Sequence, residues 1–241
     1  MKPLRLKLMS RQITVKSYHR AFRRPLCTAR GEWAIREGFL LRVSQEGRVG
    51  YGEVAPIPEF GTETLAQAAE FLADLAQQPD LAVPRELRCC AFALSAALEQ
   101  TRPAARDYAV SALLPAGAAG QERAKERIND GYRSLKWKLG VAPIGEELSL
   151  AHRLLSSLPQ GVSVRLDANA SLCLAELEQW LELLARFPQQ VDYLEQPLPC
   201  GEEAVMARAM LDFGVSIALD ESLNGDDGAQ FLETDAWAGP L

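Results

Sequence analysis

Residues 134–140, SLKWKLG, place two lysines inside a segment that otherwise has the pattern of a buried β-strand. Side chains of a strand alternate between its two faces, so the leucines and the tryptophan share one face while Lys136 and Lys138 share the other. On an edge strand such a cationic face usually points to solvent. The alternative is that both lysines project into a functional site, and the surrounding segments decide between the two interpretations.

The composition excludes several classes of partner. The 241 residues are 48% apolar and 24% charged, which is typical of a globular protein, and the net charge is -6. This acidic balance argues against a nucleic acid or an anionic membrane surface as the partner. No apolar run approaches the roughly 18 residues that span a bilayer, and the N-terminal segment has no secretory pattern. We therefore predict a cytoplasmic protein.

The cysteines predict neither a disulfide framework nor a zinc site. They are odd in number, have no C-x-x-C spacing and lie mostly in helical patterns, so we expect buried free thiols. A cysteine nucleophile would need a histidine partner, but neither His19 nor His152 lies in a recognisable motif. The five cysteines are Cys27, Cys89, Cys90, Cys173 and Cys200.

Residues 1–106 have the pattern of an α+β domain. Strands are predicted over 4–15, 38–43 and 48–54, with a hairpin turn at 44–47. Two helices follow: a capping box of Thr64 and Gln67 opens the first, over 65–77, and Pro84 suits the first turn of the second, over 85–100. The basic cluster of Arg20, Arg23 and Arg24 is predicted to be a solvated loop.

Residues 107–241 alternate between short strands and helices. Strands are predicted over 108–114, 134–139, 162–168, 191–195 and 215–221, with an amphipathic helix after each of the first four. Such a run of β/α units predicts a parallel sheet or barrel, of which five strands are visible.

Three of these strands end with an acidic residue, namely Asp167, Glu195 and Asp220. Counting from Lys138, the successive intervals along the chain are 29, 28 and 25 residues, each about one β/α unit. A single acid after a strand is more often a helix cap or turn residue. Three acids and a lysine repeating in phase predict instead that all four project from the C-terminal mouth of one barrel.

The residue types at these strand ends indicate a particular chemistry. Three carboxylates without histidine or cysteine form a hard-oxygen site, which suits Mg²⁺. A lysine beside Mg²⁺ suggests that a proton is removed next to a carboxylate, with the metal holding the charge that develops.

Four stretches carry the charged residues of these strand ends. They are KWKLG (136–140), RLDAN (165–169), YLEQPL (193–198) and ALDESL (218–223). In this order they resemble the K-x-K, D-x-N, E-Q-P and D-E-S motifs of the lysine-base members of the enolase superfamily. The stretches REGFLLRV (36–43) and GYGEVAPIPEFGTETL (50–65) resemble the capping domain of the o-succinylbenzoate synthase family. Dipeptide epimerases and muconate cycloisomerases carry similar stretches.

The resemblance implies a fold with an α+β capping domain over 1–106 and an incomplete (β/α) barrel domain over 107–241. It implies syn dehydration of a succinyl-hydroxycyclohexadiene carboxylate to o-succinylbenzoate, a step of menaquinone and phylloquinone biosynthesis. The resemblance implies that Asp167, Glu195 and Asp220 bind Mg²⁺ (or Mn²⁺), with Asn169 near the metal. It implies that Lys138 is the acid/base and that Lys136 assists it. It also implies substrate contacts in the loops around 20–26 and 59–62, including Glu59 and Phe60.

Two other functions stay open from the sequence. One is racemisation or epimerisation of N-acylamino acids or dipeptides by the same superfamily, and the other is a non-catalytic binding or assembly module. Relatives carry a second catalytic lysine on the strand after Asp220, and the 25-residue interval would place it near position 245. We therefore expect this chain to be a fragment of a longer protein. The sequence does not predict an oligomeric state.

Overall fold

The computed structural model describes residues 11–28, 31–99, 107–224, 228, 231 and 237–240. The chain divides into two compact units, Met1–Pro25 with Trp33–Arg106 and Leu26–Glu32 with Asp107–Leu241. Each unit has its own cluster of buried hydrophobic side chains. The assignment of these parts as capping and barrel domains stays a prediction.

The first unit contains a three-stranded sheet of order β1-β2-β3. Its strands are β1 (Gln12–Thr28), β2 (Gly31–Gln45) and β3 (Arg48–Val54), and β2 and β3 pair in antiparallel register. Glu46 and Gly47 both have positive φ, 53° and 77°, as a two-residue hairpin turn requires, so the turn lies within the predicted 44–47.

The basic cluster is exposed, as predicted, but it is not a loop. Arg20, Arg23 and Arg24 lie in β1, which continues well beyond the predicted end at residue 15. Arginine is tolerated there because the side chains of this part of the strand face solvent. The predicted strand residues before 11 lie outside the described residues.

Two helices share a buried hydrophobic cluster with this sheet, α1 (Leu65–Gln77) and α2 (Arg88–Leu98). The capping box of Thr64 and Gln67 is present at the start of α1. The prediction that Pro84 lies in the first turn of the second helix is wrong, because α2 begins only at Arg88. The start of α2 is set instead by Glu63, whose carboxylate accepts the backbone N–H groups of Cys89 and Cys90 at 3.1 and 2.9 Å.

The second unit is built on a five-stranded parallel sheet of order β4-β5-β6-β7-β8. The predicted run of five β/α strands is therefore confirmed. The strands are β4 (Ala112–Leu114), β5 (Ser134–Lys138), β6 (Ser163–Asp167), β7 (Val191–Glu195) and β8 (Ile217–Ala218). The helices between them are α3 (Ala119–Asn129), α4 (Ile144–Ser157), α5 (Leu174–Leu184) and α6 (Glu203–Phe213).

The apolar faces of these strands and helices form the core of the second unit. Leu135, Trp137 and Leu139 are at most 1% exposed, as strand alternation in β5 predicts. The last strand differs from the prediction, because β8 has two residues rather than seven. Asp220 consequently lies beyond the strand, just before a 3₁₀ turn over Glu221–Asn224.

The expectation that the cysteines are buried is wrong for two of them. Cys173 is exposed at the N-cap of α5, and Cys200 is exposed in the turn before α6. Cys90 is buried, Cys89 is partly buried, and the side chain of Cys27 lies outside the described residues. Within the described part of the chain, none of the helices has both the length and the apolar character needed to cross a bilayer.

Candidate active site

The register of the parallel strands sets Lys138, Asp167 and Glu195 side by side. Lys138 at the end of β5 is the partner of Asp167 at the end of β6, which is in turn the partner of Glu195 at the end of β7. Glu195 pairs with Ala218 on β8, two residues before Asp220. The C-terminal edge of the sheet thus gathers Lys138, Asp167 and Glu195 from three adjacent strands, with Asp220 in the segment after the fourth.

The ammonium group of Lys138 lies between two oxygens of the β6 end. Its Nζ donates to Asp167 Oδ2 and to Asn169 Oδ1, both at 2.8 Å. The side chain is 12% exposed. These two acceptors therefore fix the position of the amine while leaving a small part of it open to solvent.

Lys136 makes different contacts, although it shares a face with Lys138. Its Nζ donates to both carboxylate oxygens of Glu195, at 2.6 and 2.7 Å, and lies 2.9 Å from Asp167 Oδ2. Burial lowers the pKa of Lys136, but the charge of Asp167 and the bonds to Glu195 outweigh burial, so this pKa is raised. Lys136 thus stays an ammonium that bridges two carboxylates.

The three acids respond differently to this environment. Burial raises the pKa of Asp167, but the charges of Lys136 and Lys138 outweigh burial and lower it overall. The pKa of Glu195 is raised, first by burial and then by the charge of Asp167. The same two causes raise the pKa of Asp220, although solvent screening limits the rise because this residue is exposed. The raised pKa values of Glu195 and Asp220 thus reflect burial and repulsion from the neighbouring carboxylate of Asp167.

A tight turn after β6 brings in a further carboxylate that the sequence did not single out. Asn169 has φ 48°, and its backbone N–H donates to Asp167 Oδ1 at 3.1 Å. Its side-chain Nδ2 lies 3.4 Å from Oε1 of Glu221. The pKa of Glu221 is raised to about 7, first by burial and then by the charge of Asp220. In the described part of the chain, Glu221 Oε2 is buried without a hydrogen-bond partner. Its place in the ALDESL motif was the available signal.

The loop that follows Lys138 is held by a second carboxylate that sequence reasoning missed. Glu147, in the first turn of α4, is 2% exposed. Its two oxygens accept the backbone N–H groups of Gly140, Val141 and Ala142 at 2.9 to 3.0 Å. In the sequence this residue has only the pattern of an acid favoured at a helix N-terminus.

The two candidate substrate residues from the 59–62 segment lie in the first unit. Glu59 is exposed and Phe60 is partly buried, in a 3₁₀ turn over Pro58–Phe60. The ring of Phe60 packs edge-to-face on Trp33, with ring centroids 5.4 Å apart. Glu59 and Trp33 line a cleft of about 220 Å³ within this unit. Their role toward a substrate stays a prediction.

The donor chemistry of the strand ends fits a divalent cation. Carboxylate oxygens are the ligands that Mg²⁺ prefers, and among the described residues Glu221 adds a buried oxygen that has no hydrogen-bond partner. Within the described residues, however, no three histidine, cysteine or acidic side chains are yet arranged around a common ion position. The ammonium of Lys136 instead contacts both Asp167 and Glu195. A cation would therefore compete with Lys136 for both carboxylates.

Two protein families match consecutive parts of the chain. Residues 10–101 match the family described as "MenC, N-terminal domain", and residues 119–237 match "Enolase C-terminal domain-like".

Individual relatives agree with these matches. The chain is 33% identical over 231 residues to o-succinylbenzoate synthase of Thermosynechococcus vestitus, covering 92% of this chain and 72% of the relative. It is 31% identical to o-succinylbenzoate synthase of Photorhabdus laumondii, covering 80% of this chain and 60% of the relative. The chain thus spans between about three fifths and three quarters of the relatives that it matches.

Solved structures give the same answer for the fold. The crystal structure of o-succinylbenzoate synthase from Thermosynechococcus elongatus, complexed with Mg in the active site, superposes with a TM-score of 0.74 at 32% identity. The match covers 95% of this chain and 74% of that one. The L-Ala-D/L-Glu epimerase of Bacillus subtilis superposes with a TM-score of 0.77 at 17% identity, covering 88% of this chain and 67% of that one. At that identity the likeness concerns the fold alone.

Proposed function

Because the chain belongs to the o-succinylbenzoate synthase family of the enolase superfamily, we propose that it carries the capping part and the metal-binding half of a Mg²⁺-dependent carbon–oxygen lyase. The reaction is the syn dehydration of a succinyl-hydroxycyclohexadiene carboxylate to o-succinylbenzoate, in menaquinone or phylloquinone biosynthesis. The observation that carries this proposal is the row of Lys138, Asp167 and Glu195 at adjacent strand ends.

Asp167, Glu195 and Asp220 would hold the metal in this proposal. When bound, Mg²⁺ (or Mn²⁺) would supply a positive charge that stabilises the negative charge developing on the substrate carboxylate as the adjacent carbon loses its proton. Lys136 must release at least part of its contact with Asp167 and Glu195, which frees its ammonium to contact the substrate carboxylate.

Lys138 would serve as the acid/base. As a neutral amine it takes the proton from the carbon next to the substrate carboxylate, and as an ammonium it returns a proton to the departing hydroxyl group, which leaves as water. A single group on one side of the ring can perform both transfers, because in a syn elimination the proton and the hydroxyl group leave from the same face. Asp167 and Asn169 hold its Nζ in position for this role.

The substrate class follows from the same residues. A cationic pair and a metal site favour a small carboxylate, and the net charge of -6 disfavours nucleic acid. A cytoplasmic location stays a prediction from the sequence. Specificity contacts from Glu59 and Phe60 belong to the proposal as well.

Turnover of the cyclohexadiene substrate tests this function. The full-length protein with Mg²⁺ should produce the aromatic product, followed by its ultraviolet absorbance, and Lys138→Ala should lose at least about 100-fold in rate, the usual contribution of an acid/base. Lys125→Ala, which alters an exposed lysine of α3, is the matched control and should keep full activity.

The same experiment separates the competing functions. Exchange of the substrate α-proton with D₂O without dehydration would favour a racemase or epimerase of the superfamily. No turnover and no exchange would favour a non-catalytic module, and full turnover in Lys138→Ala would exclude the role proposed for this lysine.

A further inference from the structure

Gln196 connects the ends of three strands through its backbone. It directly follows Glu195, is completely buried and has φ 34°. Its N–H donates to Ala218 O at 2.8 Å, and its carbonyl oxygen accepts from Ala170 N at 2.7 Å. The residue thus joins the segments that follow β6 and β7 to β8.

The side chain of Gln196 uses all of its hydrogen-bonding capacity. Its Oε1 accepts the backbone N–H groups of Asp220 and Ser222 at 3.0 and 3.1 Å. Its Nε2 donates to Leu198 O at 3.0 Å and to Ser222 Oγ at 2.8 Å. Since two donors face the oxygen and a carbonyl faces the nitrogen, only one orientation of the amide satisfies these partners.

A relay extends this arrangement to the start of α6. Ser222 Oγ donates to Glu203 Oε1 at 2.6 Å, and Glu203 Oε1 also accepts the backbone N–H of Gly201 at 3.0 Å. The turn that carries Asp220 is therefore fastened to the segment between β7 and α6. The bond from Gln196 Nε2 to Ser222 Oγ is buried, the bond from Ser222 Oγ to Glu203 is partly buried, and the relay reaches the surface at Gly201.

The need for such a fastening follows from the length of β8. Its ladder with β7 ends at the pair Glu195 and Ala218, so regular strand pairing does not reach Asp220. The Gln196 amide supplies the acceptor that the ladder no longer provides for the N–H of Asp220. The side chain of Gln196 thus ties the backbone of Asp220 to the residue that follows Glu195.

We infer that Gln196 is a positioning residue, which sets the backbone of Asp220 relative to Glu195 so that both carboxylates can bind one Mg²⁺ ion. The metal part of this inference rests on the proposed function, whereas the clamp itself rests on the contacts of Gln196 alone. Residues that orient metal ligands typically contribute 10- to 100-fold to affinity.

Two measurements on Gln196→Met test the inference, because methionine keeps the volume and removes the amide. Hydrogen exchange of the metal-free protein should become at least about tenfold faster at the amides of Asp220 and Ser222, which lose their acceptor. Titration with Mg²⁺ alone should give a Kd raised by about 10- to 100-fold. The control is Val162→Ala, which removes buried volume at the opposite end of β6 and should lower Tm without changing the Mg²⁺ Kd.

The outcomes separate this inference from the proposed function. Unchanged exchange and an unchanged Kd in folded Gln196→Met would overturn the positioning role, while wild-type binding of Mg²⁺ would leave the proposed function intact. Failure of the wild type to bind Mg²⁺ would overturn the proposed function and the metal part of the inference, while the exchange rates of Gln196→Met would still test the clamp. If Gln196→Met does not fold, Ser222→Ala takes its place. Its Mg²⁺ Kd should rise by about 3- to 10-fold, equivalent to the loss of one hydrogen bond. An unchanged Mg²⁺ Kd in Ser222→Ala would overturn the positioning role of Gln196.

Discussion

At the scale of single residues, the two lysines of β5 differ in what surrounds them. Lys138 contacts one carboxylate and one amide oxygen, while Lys136 bridges two carboxylates. A metal cation would therefore compete with Lys136 for the carboxylates of Asp167 and Glu195. The different surroundings explain why Lys138 is the better candidate for proton transfer and Lys136 for charge balance.

Replacing Lys136 by methionine should tighten Mg²⁺ binding. The substitution frees the oxygens of Asp167 and Glu195 and removes a positive charge from the site, so we expect the Mg²⁺ Kd to fall at least about tenfold in a calorimetric titration. Lys125→Met is the control and should leave the Kd unchanged. Weaker binding by Lys136→Met would mean that this lysine supports the metal rather than competing with it.

The reactivity of the cysteines should follow their surroundings. Burial, followed by the hydrogen bond to Glu63, raises the pKa of Cys90, and burial also raises the pKa of Cys89. Since the thiolate is the reactive form, the raised pKa values disfavour reaction at both positions. In a Cys27→Ser background at pH 8, iodoacetamide should label the exposed Cys173 and Cys200 first.

Peptide mass spectrometry follows this labelling site by site, with the urea-unfolded protein as the control in which all four cysteines react. Equal rates at the four sites of the folded protein would contradict the burial of Cys89 and Cys90.

The sequence predicted which charged residues end the strands, because strand alternation and the length of a β/α unit are local and periodic. It did not predict Gln196, Glu147 or Glu221 as parts of the site. The side chain of Gln196 bonds residues up to 26 positions away, and no periodicity reports such contacts. The roles of the predicted residues remain proposals.

At the scale of elements, close backbone approach explains two glycines of the first unit. A Cβ on Gly52 would lie 2.0 Å from the carbonyl oxygen of Ala93 in α2, and a Cβ on Gly50 would lie 1.8 Å from that of Ala97. The GYGEV stretch is therefore required by the packing of β3 on α2. This packing is a structural reason for a motif that was noted only as a family resemblance.

Gly52→Ala should consequently lower the free energy of unfolding by about 1 to 3 kcal/mol, because the added Cβ would clash with the backbone of α2 and the clash can be relieved only by moving the helix. The matched control is Gly145→Ala in α4, where a Cβ would have no neighbour within 4 Å, and it should stabilise by about 0.5 to 1 kcal/mol. Urea unfolding measures both changes. Equal stability of the two variants would contradict the close approach of β3 and α2.

Glu147 should be essential for the segment that follows β5. Glu147→Ala leaves three backbone N–H groups without their acceptor, so we expect a loss of about 2 to 4 kcal/mol in the free energy of unfolding. Its exposed neighbour provides the control, as Glu146→Ala should change stability by less than about 0.5 kcal/mol. A similar small effect in both variants would exclude a structural role for Glu147.

Element boundaries were predicted best where local signals are complete. The capping box fixes the start of α1 at Leu65, and β7 matches its predicted 191–195. The start of α2 was missed because its cap is Glu63, which lies more than 20 residues away in the sequence. The end of β8 was missed because a polar clamp, rather than strand pairing, holds Asp220.

At the scale of the whole molecule, the chain combines two units with separate cores and a five-stranded parallel sheet of the enolase superfamily. The alternation of strands and helices was sufficient to predict this class of fold. The sheet has two ends, β4 and β8, and the order of its strands follows the order of the sequence. The ends of β6 and β7 and the segment that follows β8 supply the carboxylates on which the proposed activity depends.

Calorimetric titration of the protein with Mg²⁺ tests that dependence most directly. One Mg²⁺ should bind per chain, and Asp167→Asn, Glu195→Gln and Asp220→Asn should each raise the Kd at least about tenfold, because each removes a proposed ligand. Glu146→Gln, an exposed acid of α4, should bind as the wild type does. Absence of binding in the wild type, or binding of unchanged affinity by the three variants, would contradict a metal site at the ends of these strands.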